Sequence, residues 1–194
     1  VSTAEGLDLI RSARADGLKV TCDTAPPYFD LNETVIGDFR TYAKLSPPLR
    51  AEADRRAVCA ALADGTIDAI ASDHMPCDAD DKRQPFAVAA AGGTGLCTLL
   101  AVTLAQVHAG NLGMSDAIGL LTHRPARVLG SDAGTLETGR PADLCLFNPD
   151  TGWIVRAGEL PGKAQNTPFD GRALEGRVIG TWKKGRQVHG AQAA

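Results

Sequence analysis

Aromatic residues are scarce in this sequence: two Trp, two Tyr and five Phe amount to 5% of it. Rings cannot dominate its core, so Ala, Leu, Val and Ile must fill it, within a hydrophobic content of 44%. No apolar run approaches the ~18 residues that would read as a membrane-spanning helix. Positive charge is not in excess either: 20 Lys and Arg stand against 23 Asp and Glu, for a net charge of −3. The densest basic group, Lys183, Lys184 and Arg186, is too short for a polyanion site, so no nucleic-acid partner is expected. The five cysteines (22, 59, 77, 97 and 145) include no Cys-x-x-Cys pair, their number is odd, and no secretory apolar segment accompanies them. Reduced thiols in a cytoplasmic protein are the expectation. The first residue is Val1, not Met, which suggests a fragment, a processed product or an incomplete reading of a longer chain.

What is present is enough, at 194 residues, for one domain with a real core. Ser2 followed by Glu5 reads as a capping box opening a helix over about 3–16, with Gly17 as its stop. Leu18 to Cys22 alternates apolar and polar and predicts a strand, and Pro26-Pro27 then enforces an extended path. Residues 29–53 read mostly as loop. Arg55 to Asp64 predicts a second helix, and Ile67 to Ser72 a short buried strand ending on Asp73. Helix, strand, loop, helix, strand is the order a parallel sheet produces.

Beyond Asp73 a charged loop, 78–83, precedes Gly92-Gly93-Thr94-Gly95. Leu96, Leu99, Leu100, Thr103, Leu104 and Val107 then follow a helical period. The glycines suit either a tight turn or an anion cradle at that helix's start. Ser115 reads as the cap of a helix to about His123, and Pro125 as the first residue of another, closed by Gly130. From Gly134 short strands replace helices, at 143–147, 153–155, 177–182 and 187–188. A boundary near residue 131 divides an α/β part, 1–130, from a β-rich part, 131–194.

Asp73 is the most informative position. A carboxylate at the C-terminal end of a strand, followed by His74 and a Pro-containing turn, suits a metal ligand or a general base in a parallel barrel. It equally suits an aspartate capping the next turn.

Four groups of residues together resemble the dihydroorotases of the amidohydrolase superfamily. They are Val1-Ser2-Thr3 with Thr21-Cys22-Asp23; Ser46-Pro47-Pro48-Leu49-Arg50; Ser72-Asp73-His74-x-Pro76 with Lys82, Pro85-Phe86 and Gly95-Leu96; and Gly134-Thr135-Leu136-Glu137-x-Gly139-x-Pro141-Ala142-Asp143-Leu144 with Lys163-x-x-Asn166-Thr167-Pro168-Phe169-x-Gly171. The resemblance implies an α/β fold: the C-terminal part of a (β/α)8 metal-dependent hydrolase barrel plus part of a small β-sandwich flap. It implies zinc, whose bound water ionises near neutral pH and attacks a cyclic amide. Asp73 matches the family's metal-linked acid/base, and so carries both the catalytic and the metal assignment. Ser46, Cys77 and Gly92 carry the substrate-binding assignment, and Arg50 either faces substrate or braces its loop.

The departures matter as much. The four histidines (74, 108, 123 and 189) include no His-x-His pair, and one carboxylate cannot make a zinc site. The family's other ligands would lie upstream of Val1, so this stretch alone is expected to be inactive. His74 is expected as a hydrogen-bonding group, not a ligand. Half a barrel would also expose apolar surface along 18–23 and 67–72. Ser46, Cys77 and Pro26-Pro27-Tyr28 stand where dihydroorotases usually carry Asn, His and Pro-His-His. Two other readings therefore stay open: an allantoinase- or hydantoinase-like hydrolase, and a non-catalytic homologue that scaffolds aspartate transcarbamoylase. A homo-oligomer is expected; no membrane association is.

Overall fold

The computed structural model describes residues 1–190; residues 191–194, the end of the expected 131–194 segment, lie outside the described residues. The first helix, α1, spans Ala4–Ala15. Its cap is Thr3, whose hydroxyl accepts the Gly6 amide at 3.1 Å, and not Ser2 as the capping-box pattern predicts. Ser2 is instead buried, within 3.4 Å of Arg50 Nε. The buried Leu7 anchors α1 against α3, Glu52–Ala63.

Between them lie β1, Asp23–Thr24, and a five-residue helix α2, Pro26–Asp30. The two prolines start α2 instead of extending the chain, because proline's fixed φ and missing N–H suit a first helical turn. Two 3-10 turns, 33–36 and 41–43, occupy the expected loop. Strand β2 is Ala69–Ile70 and pairs with β1 in parallel, Asp23 opposite Ala69 and Thr24 opposite Ile70. Both strands are shorter than their apolar patterns predict. Flanking bonds from Asp68 N to Cys22 O (2.9 Å) and from Ala71 N to Thr24 O (2.8 Å) extend the contact by one residue at each end. The apolar surface expected along 67–72 is largely covered: Ile67, Ala69 and Ile70 are buried, while Leu18 is exposed.

Helix α4, Ala79–Lys82, forms inside the predicted charged loop. Helix α5, Leu99–His108, starts a turn later than the periodicity suggests and leaves Leu96 exposed. Helix α6 is Met114–Leu121, capped by Gly113 and not by Ser115. Helix α7, His123–Val128, takes Pro125 as its third residue. A second sheet is antiparallel, in the order β3 (Leu144–Ile154), β4 (Ala173–Lys183), β5 (Arg186–His189). The two strands predicted at 143–147 and 153–155 are one, with register shifts between Asn148 and Gly152 that admit both patterns.

Strand β4 lies on α5. Val155, Phe169 and Leu174, from the C-terminal part, share one core cluster with Leu7, Phe29, Leu62 and Val102. Phe29 and Phe169 are fully buried, each worth about 1.5–3 kcal/mol relative to exposure. Arg172 of the C-terminal part also pairs with the buried carboxylate of Asp30 at the end of α2.

Candidate active site

The C-terminal ends of β1 and β2 open toward one group of loops, and Asp73 stands there three residues past β2 with φ +46°. Aspartate is among the few side chains that enter this left-handed region at modest cost. The reversal leaves Asp73 exposed at the mouth of the loops.

Tyr28 approaches Asp73 from below. The residue is 6% exposed; its hydroxyl donates to the Pro47 carbonyl at 2.9 Å and lies 3.2 Å from Asp73 Oδ2. Burial pushes the phenol's pKa up strongly, the Asp73 charge adds to that, and Arg50 works against it. The Ser46–Pro47 segment is thereby held beside Asp73, with Ser46 itself exposed. Arg50 bonds Ser2 through its side chain, and its carbonyl accepts Glu33 N at 2.8 Å, so it braces the loop.

Asn166 joins the next two segments. It is 1% exposed. Its Oδ1 accepts Cys77 N at 3.1 Å, while Nδ2 donates to Met75 O at 3.0 Å and to Gly92 O at 3.1 Å. Its own carbonyl accepts Thr94 N at 3.1 Å. The Cys77 thiol lies 3.7 Å from the Ala91 carbonyl. Gly92 has φ +130°, and a Cβ there would meet Met75 at 2.7 Å, so no larger residue fits without displacing that side chain. A Cβ on Gly95 would come within 2.0 Å of the Ser72 carbonyl oxygen.

The glycine run is not an anion cradle. The amide of Gly92 is bonded to Lys44 O at 2.9 Å, that of Thr94 to Asn166, and that of Gly95 to His74 Nδ1 at 3.2 Å. The run also lies upstream of α5 and not at its first turn. His74 therefore serves as a backbone-binding acceptor, and its chain segment bridges Gly93 in parallel.

Lys82 completes the frame. It is 2% exposed, and its Nζ donates to the carbonyls of Ala90, Thr41 and Lys44 at 2.8, 3.1 and 3.3 Å. Burial lowers its pKa. The segments bearing Ser46, Asp73, Cys77 and Gly92 are thus stitched together by Tyr28, Asn166 and Lys82. The sequence presents these three as motif residues or departures, without a role for any of them. Only the Asn-Thr-Pro-Phe and Lys-x-x-Pro-Phe spacings marked two of them.

A carboxylate at such a mouth can take a proton from water and give it up again. It cannot hold zinc by itself. Among the described residues no three His, Cys, Asp or Glu side chains gather as a metal site, and zinc takes at least three protein ligands. The donor set of this chain alone does not fit the ion.

Residues 2–188 match the model of the amidohydrolase family. A dihydroorotase of Citrifermentans bemidjiense is 44% identical over 98% of this chain and 45% of its own length. One of Anaplasma phagocytophilum is 38% identical over 99% of this chain and 43% of its own. Among solved structures, an L-hydantoinase (dihydropyrimidinase) of Arthrobacter aurescens superposes with a TM-score of 0.92 at 28% identity, covering 98% of this chain and 44% of that one. The chain thus spans less than half the length of these relatives.

Proposed function

The chain belongs to the amidohydrolase family, and on that premise we propose that it is the C-terminal part of a dihydroorotase-type cyclic amidohydrolase, which interconverts dihydroorotate and N-carbamoyl-aspartate in pyrimidine biosynthesis. The observation that carries this reading is 38–44% identity to proteins named dihydroorotase over nearly the whole chain, and it is supported by Tyr28 joining Asp73 to the Ser46–Pro47 segment and Asn166 joining Cys77 to Gly92. Residues 1–130 would form the last part of the barrel and 131–194 a share of the β flap. Zinc is the proposed metal, Asp73 one of its ligands, and the other donors lie outside this chain. By itself the chain would be inactive. The whole would work in the cytoplasm as a homo-oligomer.

Hydrolysis bonds a water oxygen to the ring carbonyl carbon and breaks the ring C–N bond. Asp73 takes the proton that water gives up and passes it to the departing nitrogen. Ser46 offers its exposed hydroxyl to substrate. Cys77 and Gly92 have their backbone N–H groups engaged inside the protein, and the Cys77 thiol lies against the Met75 and Ala91 carbonyls, so the two residues shape the substrate face through the backbone they hold in place.

The test is Asp73→Asn in a protein of the relatives' length that contains this chain. The amide keeps size and most hydrogen bonds but moves no proton, so turnover of dihydroorotate should fall by about 10²–10⁴-fold with the fold intact. Near-full activity would refute the role of Asp73. The superposition on L-hydantoinase keeps one competing substrate class open, and turnover of a hydantoin but not of dihydroorotate would establish it. An unaltered protein that turns over neither and binds aspartate transcarbamoylase would be the scaffold.

A further inference from the structure

Lys82 is a buried cation that the chemistry above leaves unused. Buried lysines are rare, and burying a cation is costly unless it is hydrogen-bonded. Here the three ammonium protons go to three backbone carbonyls, Ala90, Thr41 and Lys44, the full donor capacity of a lysine. An apolar side chain of similar length would fill the same space without that desolvation cost, so what the ammonium adds is geometric.

The acceptors belong to two separate segments. Thr41 and Lys44 lead directly to Ser46; Ala90 leads directly to Gly92. The two segments are also bonded to each other, Gly92 N to Lys44 O at 2.9 Å. Helix α4 is tied to both through its backbone as well: Thr41 Oγ1 donates to Lys82 O at 2.6 Å, and Ala90 N donates to Asp81 O at 3.1 Å.

We propose that Lys82 is a positioning residue for the substrate face, one ammonium that fixes the segment of Ser46 against the segment of Gly92. It does not touch substrate, since its Nζ is saturated and enclosed. What that face binds rests on the dihydroorotase-type reading; that Lys82 holds it in place does not.

The experiment compares the unaltered protein of the relatives' length with its Lys82→Met variant, which keeps the stem and loses every donor. KM for dihydroorotate should rise about ten-fold while kcat stays within about three-fold, the pattern of a lost binding geometry. Amide hydrogen exchange at Gly92 and Thr94 should quicken by about ten-fold or more. Unchanged KM with unchanged exchange overturns the proposal, as does a fall in kcat at constant KM. If the unaltered protein does not turn over dihydroorotate, the functional reading falls, and exchange alone decides for Lys82: faster supports it, unchanged overturns it. If Lys82→Met does not fold, Lys82→Gln replaces it, with shifts in the same directions but smaller, because its amide keeps two donors.

Discussion

The phenolic oxygen of Tyr28 lies 3.2 Å from the Asp73 carboxylate and 2.9 Å from the Pro47 carbonyl, so one hydroxyl connects the proposed acid/base to the loop of Ser46. Its single proton serves one acceptor at a time. The ring is packed in the core as part of α2, with Pro26, Pro27 and Phe29 buried around it, so the hydroxyl cannot drift. Burial and the neighbouring carboxylate both raise its pKa above the ordinary phenol value. Tyr28 therefore remains a neutral donor at neutral pH.

Tyr28→Phe should leave the fold intact, because the ring stays and the lost bond to Pro47 is near the surface. It should reduce kcat on dihydroorotate by about ten- to a hundred-fold, in line with the ~1.5–3 kcal/mol typical of a hydrogen bond to a charged group. Steady-state kinetics on the protein of the relatives' length checks this. A kcat equal to that of the unaltered protein would make the Tyr28–Asp73 contact incidental.

The place of Asp73, just past a short strand and before a turn, was legible in the sequence because its signal is local: an apolar run, a carboxylate and a turn, within ten residues. The order of helices and parallel strands was legible for the same reason. Tyr28, Asn166 and Lys82 were not, because each acts across the chain. Asn166 lies 89 residues from its partner Cys77, and Lys82 lies 41 residues from Thr41. Periodicity gives no account of such distances. Local patterns failed where tertiary contacts overrode them: Ser2 was drawn into the interior toward Arg50, leaving the cap to Thr3, and Leu96 stayed outside α5 because Gly95 is packed against the Ser72 carbonyl.

Asn166→Ala should destabilise the protein more than most surface changes do. It removes the Asn166 bonds to Cys77 N–H, Met75 C=O and Gly92 C=O together. A buried polar group left unpaired costs about 1–3 kcal/mol. Since Met75 is exposed and recovers water, a total of about 2–4 kcal/mol is expected. Asn166→Asp, nearly identical in shape, should be as harmful, because it turns the two-proton donor toward Met75 O and Gly92 O into an acceptor. Denaturant unfolding monitored through Trp153 and Trp182 measures both. An Asp variant as stable as the unaltered protein would show that the amide donors carry little of the joint.

Asp73 brings one carboxylate, and no group of three ligating side chains gathers among the described residues. His74 has Nδ1 committed to the amides of Gly95 and Leu96, so it is not poised to help through that nitrogen. Zinc binding at physiological strength takes three or four ligands fixed together, and its affinity collapses when they are absent. The 194-residue chain, purified alone and washed with chelator, should therefore retain far less than one zinc per molecule, whereas a protein of the relatives' length should retain it stoichiometrically. Elemental analysis of the two in parallel decides the matter. If the 194-residue chain keeps a full equivalent, a zinc site exists that Asp73 and the loops around it do not explain. If neither protein keeps any, zinc is not the metal of this site and the proposed chemistry at Asp73 must be reconsidered.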